Sequence, residues 1–223
     1  MNSYRSILIL LPLLAFVGIG VLASSIYHVS PYIEPRKITL SAPVVQEALE
    51  IKEISVTPFI LQPIRQIAGS FRILAQDRNR IGYRAQLAGT DLLVGWGRLA
   101  DLEIAEEFTF HVDDGYYSWE SSVLPVDAQE MKESVALYSV ISANKTISQR
   151  LAGLRLHDLM SLSGYIVTAS HRDGWSDASI EQDNSQRSDL LYVYELNYGP
   201  ALENSQELSP ENFLFKRRLP DSR

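Results

Sequence analysis

The chain has 223 residues, 46% hydrophobic and 21% charged, proportions of an ordinary globular protein that exclude wholesale disorder. Lys and Arg number 20 against 27 Asp and Glu, a net charge of −7; phosphate affinity rests on clustered cations, so no nucleic-acid partner is expected. There is no cysteine, which excludes disulfides, Cys-ligated zinc, iron–sulfur clusters and thiol nucleophiles.

Arg5 precedes an apolar run from Ile7 to Ala23, and no charge follows until Glu34. A cation, an apolar stretch and then small residues is the layout of a secretory signal, with Val21-Leu22-Ala23 as a cleavage site before Ser24. The competing reading is an uncleaved anchor. A run of about 17 residues lies at the lower limit for spanning hydrocarbon, and Ser24 to Val29 lengthens it. Arg5 on the short side keeps the N-terminus cytoplasmic, although Arg36 and Lys37 blunt the asymmetry. The anchor is favoured because the apolar run continues past a weak cleavage site. Residues 1–29 are therefore expected to be a signal anchor or signal peptide. The remainder is expected to be inner-membrane anchored and facing the periplasm, or periplasmic if the signal is cleaved. An exported chain without cysteine suits a bacterial envelope, since many other exported small domains rely on disulfides.

Residues 30–60 read as an extended stalk or entry segment, with Pro31 and Pro35 near its start. Ser41 and Pro43 suit the first turn of a short helix through Leu49, and a strand over Glu50 to Ile60 is an equal alternative. A single β-rich domain is expected over 61–198. Ser70 to Ala75 alternates like a half-buried strand, and Asp77-Arg78-Asn79-Arg80 breaks it. Thr90 or Asp91 is placed to cap a short helix carrying Leu92, Leu93 and Trp96. Residues 108–119 form the clearest hairpin. Phe108, Phe110 and Val112 share a face, Asp113-Asp114-Gly115 supplies the turn, and Tyr116 to Trp119 returns.

A short helix follows over Asp127 to Glu133 and a strand over Val135 to Ser142. Asn144 caps a helix whose Ile147, Leu151 and Leu154 fall on one face. Asp158 to Ala169 reads as a long strand with Gly164 as a bend or bulge. His171 to Gly174 turns, Trp175 to Ile180 returns, and Leu190 to Leu196, apolar on both faces, reads as a central strand. Residues 199–223 are polar and read as a loosely ordered tail. The class is β-rich α+β: an antiparallel sheet or small partly open barrel with one to three short helices, preceded by an N-terminal hydrophobic helix.

Gly95 and Gly97 flank Trp96, which lets the backbone fold closely around a large ring or hold it at a surface. Core packing competes with a binding platform of Tyr83, Arg84 and Trp96, extended by Arg98, Trp119 and Trp175. The histidines His28, His111, His157 and His171 lack zinc-protease spacing, and His111 lies opposite the apolar face of the hairpin. Glu106-Glu107 and Asp113-Asp114 suit a soluble edge and a turn, while Asp173, Asp177 and Asp183 lack the spacing of a calcium loop. No cofactor, metal site or catalytic residue is expected.

The stretch Asp91-Leu92-Leu93-Val94-Gly95-Trp96-Gly97-Arg98-Leu99-Ala100-Asp101 resembles a motif of a family of bacterial envelope proteins without an established activity. In that family an aromatic strand pair ending in Trp follows, as at 108–119. Ser142-Ala143-Asn144, the strand Leu162 to Val167 and Asp173-Gly174-Trp175 match in order, so the resemblance covers about residues 67–197. The chain lacks a His soon after Ser-Ala-Asn and a Cys before the last strand, which argues against catalytic roles at those positions. The resemblance implies the architecture and an envelope address, and says little of function.

Three functions stand in order. The first is a non-catalytic accessory or interaction protein of the envelope, tied to the membrane through its N-terminal helix and to an envelope protein partner. The second is a ligand-binding module whose OB-like half presents Tyr165, Trp175, Tyr192 and Tyr194. The third is a hydrolase of an envelope polymer, which needs two carboxylates about 5–10 Å apart across a cleft.

Overall fold

The computed structural model describes residues 36–48, 51–78, 81–177 and 187–200. The expected signal or anchor, the tail from 201 and Asp183 lie outside these residues. Within them, three strands open the fold: β1 (Val44–Glu47), β2 (Ile54–Val56) and β3 (Phe59–Asp77). β1 and β2 both pair antiparallel with β3. The sheet thus begins before the boundary expected at residue 61. The helix considered from Ser41 is replaced by a four-residue strand whose side chains are all exposed.

β3 is long enough to pair with β8 (Leu159–His171) along one edge and with β2, β1 and then β4 (Thr90–Gly95) in succession along the other. It bends at bulges between Pro63 and Arg65 and between Ile73 and Ala75. Pro63 has no N–H for a regular ladder, and a bulge is where a sheet tolerates it. β3 pairs antiparallel with β4. β4 pairs antiparallel with β7 (Val135–Ser142), and β7 pairs parallel with β10 (Asp189–Tyr198). β10 then pairs antiparallel with β8, which returns to β3. Hydrogen-bonded neighbours therefore run around a closed circuit, β3-β4-β7-β10-β8-β3, within a mixed and mostly antiparallel sheet. The short β9 (Ser176–Asp177) pairs with β8, and β5 (Thr109–Asp113) with β6 (Tyr116–Glu120) forms a separate hairpin.

The described helices are short: α1 (Gly82–Leu87), α2 (Leu102–Ala105), α3 (Ala128–Glu133) and α4 (Lys145–Gly153). Asp127 caps α3 by accepting from the Gln129 and Glu130 amides, and Asn144 caps α4 by accepting from the Ile147 amide at 3.0 Å. The helix expected at Leu92 and Trp96 does not form. Asp91 to Gly95 are all buried, as befits a strand covered on both faces, so a one-sided helical stripe has no place there.

One face of the circuit is lined by Ile67, Phe71, Leu92, Val94, Tyr138, Val140, Leu162, Leu191 and Val193, with Ile147 and Leu154 of α4 closing the cluster. Leu93 and Leu137 lie on the opposite face of β4 and β7. They are covered by the excursion between those strands, through Leu99, Phe108, Tyr117, Val126 and Met131. A third cluster joins Phe59, Leu61, Val167, Ala169 and Leu190 to Leu87 of α1 and to Ala88, which ends that helix. Each fully buried Leu or Phe in these clusters contributes about 1.5–3 kcal/mol.

Gly164 is not itself a bulge. The register shift lies on β10, between Val193 and Glu195. A Cβ at Gly164 would meet the Tyr192 carbonyl oxygen at 2.7 Å, so close backbone approach is what keeps this position glycine.

Candidate binding surface

Of the candidate residues, Tyr83, Arg84 and Trp175 are brought together. α1 crosses the outer side of the sheet and carries the first two, and Trp175 follows the turn after β8. The Tyr83 ring centroid lies 4.6 Å from His171 and 5.4 Å from Trp175, with Phe59 edge-on beneath it at 6.3 Å. The Tyr83 hydroxyl donates to Asp173, whose other oxygen lies 2.6 Å from Nδ1 of His171. Asp173 also accepts the Trp175 amide at 3.3 Å. The rings pack on one another and the turn satisfies its own polar groups, so the cluster clasps α1 to the end of β8.

Arg84 performs a similar task. Its Nε donates to Asp177 at 2.8 Å and its Nη2 to the Ser188 carbonyl at 2.9 Å, with a further bond to the Ser188 hydroxyl. The tip of the β5–β6 hairpin reaches the same place, where the Gly115 carbonyl accepts the Ser188 amide at 2.8 Å. Gly115 sits at φ 75°, and a Cβ there would meet Arg84 Nη1 at 2.6 Å. The Asp113-Asp114-Gly115 turn therefore serves as a docking point as well as a reversal. Beneath it, the Ser139 hydroxyl bonds Asp91 and the Ser188 hydroxyl, so buried polar groups of β4, β7 and the residue before β10 are tied to α1.

The other candidates lie elsewhere. Trp96 packs edge-on against Phe71 at 6.0 Å and joins two core clusters. Trp119 stands edge-on to Phe108 at 5.6 Å beneath the hairpin. Arg98 is half exposed and pairs with Glu130 at 3.1 Å while donating to the Pro125 carbonyl at 2.8 Å. Trp96 and Trp119 pack the 96–134 excursion against the sheet clusters, Arg98 ties the excursion to itself, and none of the three forms a platform with Tyr83 and Arg84.

A second aromatic group lies on the sheet face beside α1, partly exposed, with Tyr165 and Tyr192 packed against the third core cluster. Tyr165 of β8 stands opposite Tyr192 of β10 and Gln66 of β3, so their side chains share a face. The Tyr165 and Tyr194 rings lie 5.0 Å apart, and Nε2 of Gln66 donates to the Tyr194 hydroxyl at 2.9 Å. Ser163 continues the face, with Glu195 as its cross-strand neighbour. All three tyrosines are partly exposed. Burial pushes the Tyr194 phenol up to about 12, against a smaller lowering by the Gln66 hydrogen bond. Burial and then Tyr165 raise Tyr192. Both phenols thus remain neutral hydrogen-bonding groups at physiological pH. Tyr165, Tyr192 and Tyr194 are legible in the sequence as alternating aromatics, while Gln66 and Ser163 escape notice because only the strand registers place them beside the rings.

Elsewhere, a depression of about 200 Å³ lined by Gln76, Asp77, Arg78, Thr90, Leu151, Ala152 and Leu154 falls below the usual size of a small-molecule site, about 300–1,000 Å³. Among the described residues, no group of three or more His, Asp or Glu is placed to hold a metal ion. Comparison of the chain with protein-family models, curated proteins and solved structures gives no match.

Proposed function

We propose that the chain is a non-catalytic accessory protein of the bacterial envelope, held at the inner membrane by residues 1–29, whose periplasmic domain is a small OB-like binding module. The apolar run from Ile7 to Ala23 behind Arg5 supports the address. The five-strand circuit supports the module, because a partly open Greek-key barrel of that strand number is the OB architecture. In such barrels the second and third strands and the adjoining loops take the ligand. Here the corresponding strands β4 and β7 have their outer face covered by Phe108, Tyr117 and Met131 of the excursion. The observation that carries the proposal is that Tyr165, Tyr192 and Tyr194 stay partly exposed on one sheet face with polar groups beside them, even as Tyr165 and Tyr192 pack against the third core cluster. Its strands are the first, fourth and fifth of the circuit, so the working surface has moved to the other side of the barrel.

The test is affinity purification of the full-length chain from detergent-solubilised membranes of a Gram-negative host, beside Tyr165→Ala and Tyr194→Ala. The proposal expects full-length mass in the membrane fraction and an envelope component recovered with the parent but lost from both variants. A chain found only in the cytosol, or recovery that ignores both variants, would contradict it.

A further inference from the structure

We infer that the tyrosine face takes an uncharged pyranoside strand, such as β-1,4-linked N-acetylhexosamine, laid across β3, β8 and β10; this rests on the binding-module reading and names its ligand class. Three features of the face select that chemistry. Tyr165, Tyr192 and Tyr194 offer ring surfaces with a polar tip, which suits the apolar flank of a sugar ring rimmed by hydroxyls. Gln66 and Ser163 add an amide and a hydroxyl, which exchange hydrogen bonds with hydroxyl and acetamido groups. None of these five residues carries a charge, and Glu195 beside Ser163 opposes an anionic polymer, as does the net charge of −7.

Size favours a slim chain over a folded protein. β1 continues the face, with Gln46 opposite Gln66 and Val44 opposite Ala68, and four strands about 4.8 Å apart with about five residues of about 3.3 Å each give a patch on the order of 300 Å². A stable protein interface needs about 800 Å² from each partner. An extended polymer needs only a row of contacts, and the Tyr165–Tyr194 spacing of 5.0 Å with the Gln66 bond to Tyr194 pre-organises such a row. The phenols of Tyr192 and Tyr194, raised by burial, stay protonated and neutral toward the sugar.

The experiment is isothermal titration of the full-length chain in detergent with hexameric β-1,4-linked N-acetylglucosamine, and in parallel with an anionic hexagalacturonate. Saturable binding of the neutral hexamer is expected, weakened at least about tenfold by Tyr165→Ala or Tyr194→Ala. Gln66→Ala and Tyr194→Phe keep the rings and the fold, and each is expected to weaken binding by about threefold through loss of a single neutral hydrogen bond. No saturable heat up to about 10 mM, tighter binding of the anionic hexamer, or binding indifferent to all four substitutions overturns the inference. If the chain ignores the sugar yet still recovers a face-dependent envelope component, the ligand class alone falls. If neither is seen, the binding-module reading falls with it.

Discussion

His157 sits at φ 70°, a conformation that side-chain-bearing residues seldom adopt, and its carbonyl accepts a hydrogen bond from the buried Arg72. Burial, and then the Arg72 guanidinium, hold its imidazole below the usual value of 6.5, against a smaller raising influence from Glu106. The folded state therefore prefers the neutral ring, while the unfolded chain takes up a proton as pH falls through about 6.5. This contribution to stability is complete above that pH and is lost as pH falls toward the depressed folded value. His157→Asn, which tolerates the backbone angle, should lose less stability between pH 7 and 5 than the parent in urea melts. Equal pH dependence in the two chains would count against this reading. The glycines give a second contrast. Gly164→Ala drives a methyl into the Tyr192 carbonyl, whereas at Gly95 the nearest atom is the flexible end of Leu74, 2.7 Å away. The first should cost about 2–3 kcal/mol and the second about 1 kcal/mol. Denaturant melts that reverse this order would show that the β8–β10 approach is looser than described.

Among the elements, the excursion between β4 and β7 decides which face of the circuit is available. Its hairpin inserts Phe108 and Tyr117 over Leu93 and Leu137, and its tip meets Arg84 and Ser188. Phe108→Ala should cost about 3 kcal/mol and raise binding of an apolar dye as this face opens; an undisturbed melting curve would mean the hairpin is not part of the core. Asn144→Ala should cost about 1 kcal/mol through the lost cap of α4, read from the same melts. The hairpin and the α4 cap are legible in the sequence because their signals are local. Asp-Asp-Gly supplies the turn, and Asn144 precedes apolar residues at helical spacing. The strand at Thr90–Gly95 is hidden for the opposite reason. Its Leu92-Leu93-Val94 run is apolar on both sides, so alternation is absent, and only the flanking β3 and β7 decide in favour of a strand.

At the scale of the molecule, closure of the circuit depends on pairings distant in sequence, above all the parallel ladder between β7 and β10 and the antiparallel return of β8 to β3. A β-rich class is legible from the several strand patterns, but closure is not, because nothing local records which strand lies beside which. The same limit applies to the candidate surface. Tyr83, Arg84 and Trp175 do converge, yet as a clasp whose polar groups are mutually satisfied, while the partly exposed tyrosine face needs the registers of three strands to assemble. On the proposed function, this face meets an envelope component while the covered side does not. The most direct test places a photo-crosslinking benzoylphenylalanine at Ser163, beside the tyrosines, or at the exposed Lys132 of α3, in the full-length chain in living Gram-negative cells. An adduct is expected from position 163 that Tyr194→Ala suppresses, and none above background from position 132. Equal adducts from both positions, or none from 163, would contradict it.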